Sequence, residues 1–100
     1  MDNYEVLLYP KAYRDMEDIY SYIAREKLSP INAKRQTDRI WKAIDSLSEF
    51  PEAHPERLVG RYAGKGYRQL SIDHYVAIYK VDKSSGKVLV LTVQYAGRRM

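Results

Sequence analysis

The residues best equipped for chemistry in this 100-residue chain are cations and phenols. Arg57, Arg61, Lys65 and Arg68 come from a connecting segment rich in Gly and Pro and from the strand-like run after it; Arg98 and Arg99 come from the chain end. Tyr67, Tyr75, Tyr79 and Tyr95 are spread through the same strand-like runs. Arginine and tyrosine on one sheet surface can hold phosphates and stack on bases. They can equally hold an acidic segment of a partner protein. The plainer reading makes the tyrosines core or rim and the arginines a solubilising surface. His74, in an Asp-His turn, is a candidate acid–base group, and Asp-His is also an ordinary turn sequence. His54, between two prolines, is expected to be exposed. Asp15, Glu17 and Asp18 are expected on the solvated face of a helix. Gly60, Gly64 and Gly66 lack the spacing and strand-to-helix context of a phosphate-cradling loop.

Composition narrows the classes further. With no cysteine there is no disulfide scaffold, thiolate metal site or Cys nucleophile. Two histidines do not by themselves build a zinc site, so no metal and no cofactor are expected. The chain is 30% charged and 45% hydrophobic, the composition of a folded domain rather than a disordered segment. Its length points to one domain, residues 1–100. No apolar run approaches the ~20 residues a membrane-spanning helix needs, and Met1 to Tyr9 does not read as a signal peptide, so a cytoplasmic protein with no membrane contact is expected. Residues 1–50 hold 8 Lys and Arg against 9 Asp and Glu; residues 51–100 hold 9 against 4. All the surplus of the net +4 therefore lies in the second half, which predicts a basic face there, suited to a polyanion or an acidic protein.

The elements that must position these groups are legible from periodicity. Tyr4 to Tyr9 reads as a strand, and Pro10 suits the first turn of a helix. Ala12, Met16, Ile19 and Ile23 then fall at helical spacing, with Tyr20 widening the stripe. Ser29-Pro30 signals a second helix, Ser as N-cap and Pro at the first helical position. Its stripe, Ala33, Thr37, Ile40, Ile44 and Leu47, runs to Phe50, where Pro51 and Pro55 stop it. The short link predicts an antiparallel hairpin. Residues 51–66 read as a connection, with a short strand around Leu58-Val59. Three strand-like runs follow: Gly66 to Ile72, Tyr75 to Val81 and Val88 to Tyr95. The last is apolar on both faces, as a central strand would be. The fold predicted is α+β, with an N-terminal strand, a two-helix hairpin and a three-stranded antiparallel meander, the helices on one face and the other face open.

Four pieces in this order resemble the RelE/ParE superfamily, the toxins of bacterial type II toxin–antitoxin modules. They are Tyr4-Glu5-Val6 to Ile19-Tyr20-Ser21-Tyr22-Ile23; Arg39-Ile40-Trp41-Lys42-Ala43-Ile44-Asp45-Ser46-Leu47 with Phe50-Pro51; Gly66-Tyr67-Arg68-Gln69-Leu70 with Tyr75-Val76-Ala77-Ile78-Tyr79-Lys80-Val81; and Val88 to Gln94, then Tyr95-Ala96-Gly97-Arg98-Arg99. The resemblance implies a growth-inhibiting toxin masked by a cognate antitoxin in a hetero-oligomer. RelE-like members cut messenger RNA at the ribosome without a metal, using basic residues and a late Tyr or His. ParE-like members act on DNA gyrase.

RNA cleavage through the 2′-hydroxyl needs a proton acceptor, cations for the phosphate and an acid for the leaving oxygen. Here the RelE-like Arg of the middle strand is replaced by Val76, and the sequence stops at Met100, short of the RelE-like catalytic Tyr or His. Arg68, Tyr95, Arg98 and His74 would be the catalytic set if the chain were an RNase. Arg57, Arg61, Lys65, Arg68, Arg98 and Arg99 would bind the target or the antitoxin in either case. The Tyr75-Val76-Ala77-Ile78-Tyr79 motif and Phe50-Pro51-Glu52 favour the ParE-like form and gyrase; a messenger RNase acting at the ribosome is the alternative.

Overall fold

A computed structural model describes residues 3–97. A short strand, β1 (Glu5–Leu8), leads through Tyr9 into helix α1 (Pro10–Ser21). Pro10 occupies the first turn, where its missing N–H costs nothing. Ala12, Met16 and Ile19 form the buried stripe of α1, as their spacing predicts. The helix then widens into a π-turn over Tyr22–Glu26 and breaks at Leu28, which has a positive φ of 53°. Helix α2 (Pro30–Asp45) restarts at Ser29, whose hydroxyl accepts the Asn32 N–H at 3.3 Å. It buries Ala33, Thr37, Ile40 and Ile44. Full burial of a side chain such as Ile40 contributes about 1.5–3 kcal/mol.

The end of α2 departs from the expectation. The α-helix stops at Asp45, a 3₁₀ turn over Ser46–Ser48 buries Leu47, and Phe50 lies outside the stripe, 70% exposed at a φ of 53°. Pro51 disfavours right-handed helical backbone at Phe50, which takes the left-handed region instead.

Strands β2 (Arg68–Ile72), β3 (Tyr75–Asp82) and β4 (Lys87–Tyr95) form the antiparallel meander. The sheet order is β1-β4-β3-β2, with β1 parallel to β4. The doubly apolar β4 is thus central. Tyr75, Ala77 and Tyr79 of β3, Leu70 and Ile72 of β2, and Val88, Val90 and Val93 of β4 pack with the helical stripes in one core. Among the described residues no helix is long and apolar enough to cross a membrane.

The structure departs from expectation at three further places. Leu58-Val59 makes no strand: both residues are exposed, the glycines at 60, 64 and 66 all take positive φ, and among the described residues the segment's strand-type pairing with the sheet is a single Glu56–Arg68 bridge. The helix-free face is not wholly open, since Val76 and Ile78, which alternate with the core residues of β3, are buried there too.

The third correction is Asp15, read from sequence as solvated. Pairing with β1 ends at Leu8↔Val90, so β4 runs on without a strand neighbour on that edge. Asp15 supplies the missing acceptor. Its carboxylate takes the Val93 N–H at 3.0 Å and the Thr92 hydroxyl, and Lys11 lies 3.0 Å from its other oxygen. The helix thereby closes an edge that would otherwise expose unpaired backbone.

Candidate functional site

The cations of the connecting segment gather at the β2 side of the sheet, in two roles. The backbone of residues 55–57 runs beside β2: Arg57 donates its N–H to the Tyr67 carbonyl at 2.7 Å, and Gln69 donates to the Pro55 carbonyl at 2.9 Å. Arg57 then binds the Gln69 side-chain oxygen at 3.0 Å and the Val59 carbonyl at 3.1 Å. Arg68 alternates with core residues Leu70 and Ile72, so it points to the helix side, where it donates to the His54 carbonyl at 2.7 Å. Both guanidiniums are half-buried and hold the segment in place. His54 is accordingly half-buried rather than exposed, with its ring edge-on to that of Tyr79.

Arg61 and Lys65 are exposed. Arg61 lies over the Tyr62 ring, 5.8 Å from its centre. Tyr62 meets Tyr67 edge-to-face at 5.3 Å, and Lys80, across from Tyr67 on β3, lies 5.4 Å from the centre of the Tyr67 ring. Tyr62 and Lys80 were not singled out from the sequence. The available signal was position: Lys80 is the first polar, exposed residue of β3 after five buried ones.

A second feature stands at the other end of the sheet. A pocket of about 610 Å³ opens between the hairpin and the strand ends, lined by Ile19, Tyr22 and Ile23 from the α1 side and by His74, Tyr75 and Tyr95 from the sheet. The His74 carbonyl accepts the Ala96 N–H at 2.7 Å, and its ring nitrogen Nδ1 is 3.4 Å from the Gly97 carbonyl. The β2–β3 turn is clamped to α2. Arg39 makes a bidentate pair with Asp73 at 2.8 and 2.9 Å, and Gln36 adds a third hydrogen bond at 2.9 Å. These bonds hold the Asp73 carboxyl down to about 2. Burial raises the Tyr75 phenol above its usual range.

The clamp predicts a pH signature. Asp73 has a depressed folded pKa, so its stabilisation is fully present above the unfolded value of 3.8 and is lost as pH falls through about 2. In Asp73→Asn the loss of stability between about pH 4 and pH 2 should be shallower than in the parent, as measured by urea unfolding across that window.

The possible catalytic set is divided between these two places. Arg68 pairs with Tyr79, whereas Tyr95 pairs with Tyr75 beside His74. Their β3 partners, positions 79 and 75, are four steps apart, roughly 13 Å along the strand at about 3.3 Å per residue. Arg98 and Arg99 lie outside the described residues. No group of three or more His, Cys, Asp or Glu is placed to hold a metal ion among the described residues.

A family model described as the ParE toxin of the type II toxin–antitoxin system, parDE, matches residues 6–100, nearly the whole chain. The chain belongs to the ParE toxin family. It is therefore the toxin of a type II toxin–antitoxin module, and the superfamily resemblance read from the four sequence pieces holds. Solved structures show the same fold as this ParE-family chain. One is from the chromosomal ParDE system of P. aeruginosa, with 17% identity, a TM-score of 0.77, and coverage of 92% of this chain and 95% of that one. Another is from a RelBE toxin–antitoxin complex of Mycobacterium tuberculosis, with 23% identity, a TM-score of 0.63, and coverage of 95% and 93%. A third is from an archaeal RelE–RelB complex of Pyrococcus horikoshii, with 18% identity, a TM-score of 0.64, and coverage of 97% and 99%. No curated protein sequence shows a significant match.

Proposed function

We propose that this ParE-family toxin inhibits bacterial growth by binding DNA gyrase in the cytoplasm, and that a cognate antitoxin silences it in a toxin–antitoxin hetero-oligomer. The observation that carries the gyrase reading is the division of the possible RNase groups. A cleaving site needs its base, its phosphate-binding cation and its acid around one phosphodiester, within hydrogen-bond reach. Here Arg68 is bound to the His54 carbonyl at one end of the sheet, and His74 and Tyr95 stand at the other. Val76, at the place of the RelE-like arginine, is buried and apolar. A toxin that works by binding needs no such assembly.

The antitoxin reading is supported by the surplus of positive charge in residues 51–100 and by the solved relatives, which include toxin–antitoxin complexes. An acidic or amphipathic antitoxin segment suits the cationic β2 side or the groove beside the helices.

Two assays with the full chain decide the target. Purified gyrase should lose supercoiling activity, while message on translating ribosomes stays intact. Mapped cuts in the message that disappear in Arg68→Ala would overturn the gyrase reading and establish the ribosome-dependent RNase instead.

A further inference from the structure

The stretch from Arg57 to Ile72 holds four cations and no acidic residue. Arg68 points to the helix side and Arg57 is bound within the loop, but on the helix-free side the fold brings Lys80 to the same tyrosine pair as Arg61. The cations there do not hang loose: Arg61 rests on Tyr62, Tyr62 on Tyr67, and Lys80 on Tyr67. Each ring holds a cation by its quadrupole and lowers the freedom of a long, flexible side chain before any ligand arrives. The result is a preordered pair of positive charges, Arg61 and Lys80, and Lys65, between Tyr62 and Tyr67 in the chain, is exposed.

We propose that this ladder binds duplex DNA through its phosphodiester backbone. The geometry favours a duplex over a single strand. Single-strand platforms work by stacking unpaired bases on free aromatic faces. Here the rings of Tyr62 and Tyr67 are engaged with each other and with Arg61 and Lys80, so charge rather than stacking is what the surface offers. A duplex asks for nothing more, since its bases are already stacked and its phosphates face outward. The inference goes beyond the gyrase reading and is tested without gyrase, so either can fail alone.

The test is fluorescence anisotropy of a labelled duplex with the full chain, titrated across a range of salt. Binding should weaken steeply with salt. Arg61→Ala and Lys80→Ala should each weaken it and flatten the log–log salt slope by about 1. Tyr67→Leu keeps every charge but unseats Lys80, and should weaken binding about threefold. Lys42→Ala removes an equal charge from the exposed side of α2 and should leave affinity within about twofold. Circular dichroism of each variant confirms that it is folded. Three results would overturn the proposal: Lys42→Ala as damaging as Lys80→Ala, Tyr67→Leu indistinguishable from the parent, or a single strand of equal length bound more tightly than the duplex.

Discussion

Tyr79→Ala should destabilise the protein by about 3–5 kcal/mol, the range for removing a large aromatic side chain from a core. The ring is fully buried at the centre of the sheet, between the helices and the 51–54 segment. Its hydroxyl donates to the Pro51 carbonyl, and its ring stands nearly perpendicular to that of His54, 6.4 Å between centres. In a domain of this size each kcal/mol is worth about 4–8 °C in Tm, so the variant should be close to unfolded at moderate temperature. Tyr79→Phe separates the two contributions. It keeps the packing but leaves the Pro51 carbonyl without its donor, at a cost of about 1–3 kcal/mol. Burial also pushes the phenol up to about 12. A raised folded pKa means its contribution is complete below the unfolded value of 10 and is lost as pH rises through about 12. Tyr79→Phe should therefore lose less stability than the parent over that alkaline window. Urea unfolding at several pH values measures both effects, and a parent-like pH profile in Tyr79→Phe would contradict the assignment.

The second large effect belongs to Asp15. Asp15→Ala should cost about 2–4 kcal/mol, because one deletion orphans the Val93 N–H and the Thr92 hydroxyl together, and each unsatisfied buried group costs about 1–3 kcal/mol. Thr92 is fully buried and Val93 nearly so, which leaves little room for water to substitute. Asp15→Asn retains one carbonyl oxygen and should recover part of the loss. Lys11→Ala removes the half-exposed lysine of the pair and its 3.3 Å contact with the Thr92 hydroxyl, leaves the Val93 N–H and Thr92 hydroxyl bonded to Asp15, and should change stability by less than about 1 kcal/mol. The ordering Asp15→Ala, Asp15→Asn, Lys11→Ala in urea midpoints distinguishes an edge cap from a surface charge pair. Equal midpoints for all three would refute the cap.

Asp15 also shows where sequence reading stops. Its neighbours Ala12, Met16 and Ile19 announce the helix and its buried stripe through spacing alone. The partner of Asp15 is about 78 positions away, on a stretch of β4 left bare where β1 ends. Nothing local in residues 10–21 reports how long β1 is or which strand it joins. The same limit separates Lys80 from Tyr67 and Arg68 from Tyr95. Each residue was visible as a cation or a phenol, but which of them meet depends on strand register.

The amino-acid sequence by itself determined the element order, the buried part of both helical stripes (though not Tyr20 or Phe50, which are exposed), the Ser29 cap, the central place of β4 and the cationic second half. Those follow from periodicity, caps and charge, which act over a few residues. Only the tertiary structure decided that β1 joins β4 in parallel, that Arg57 and Arg68 hold the loop, that Lys80 completes the aromatic ladder, and that His74 and Tyr95 stand apart from Arg68. Those are long-range pairings, settled by packing the hairpin on the sheet and by the register of strands that meet far from where they are written.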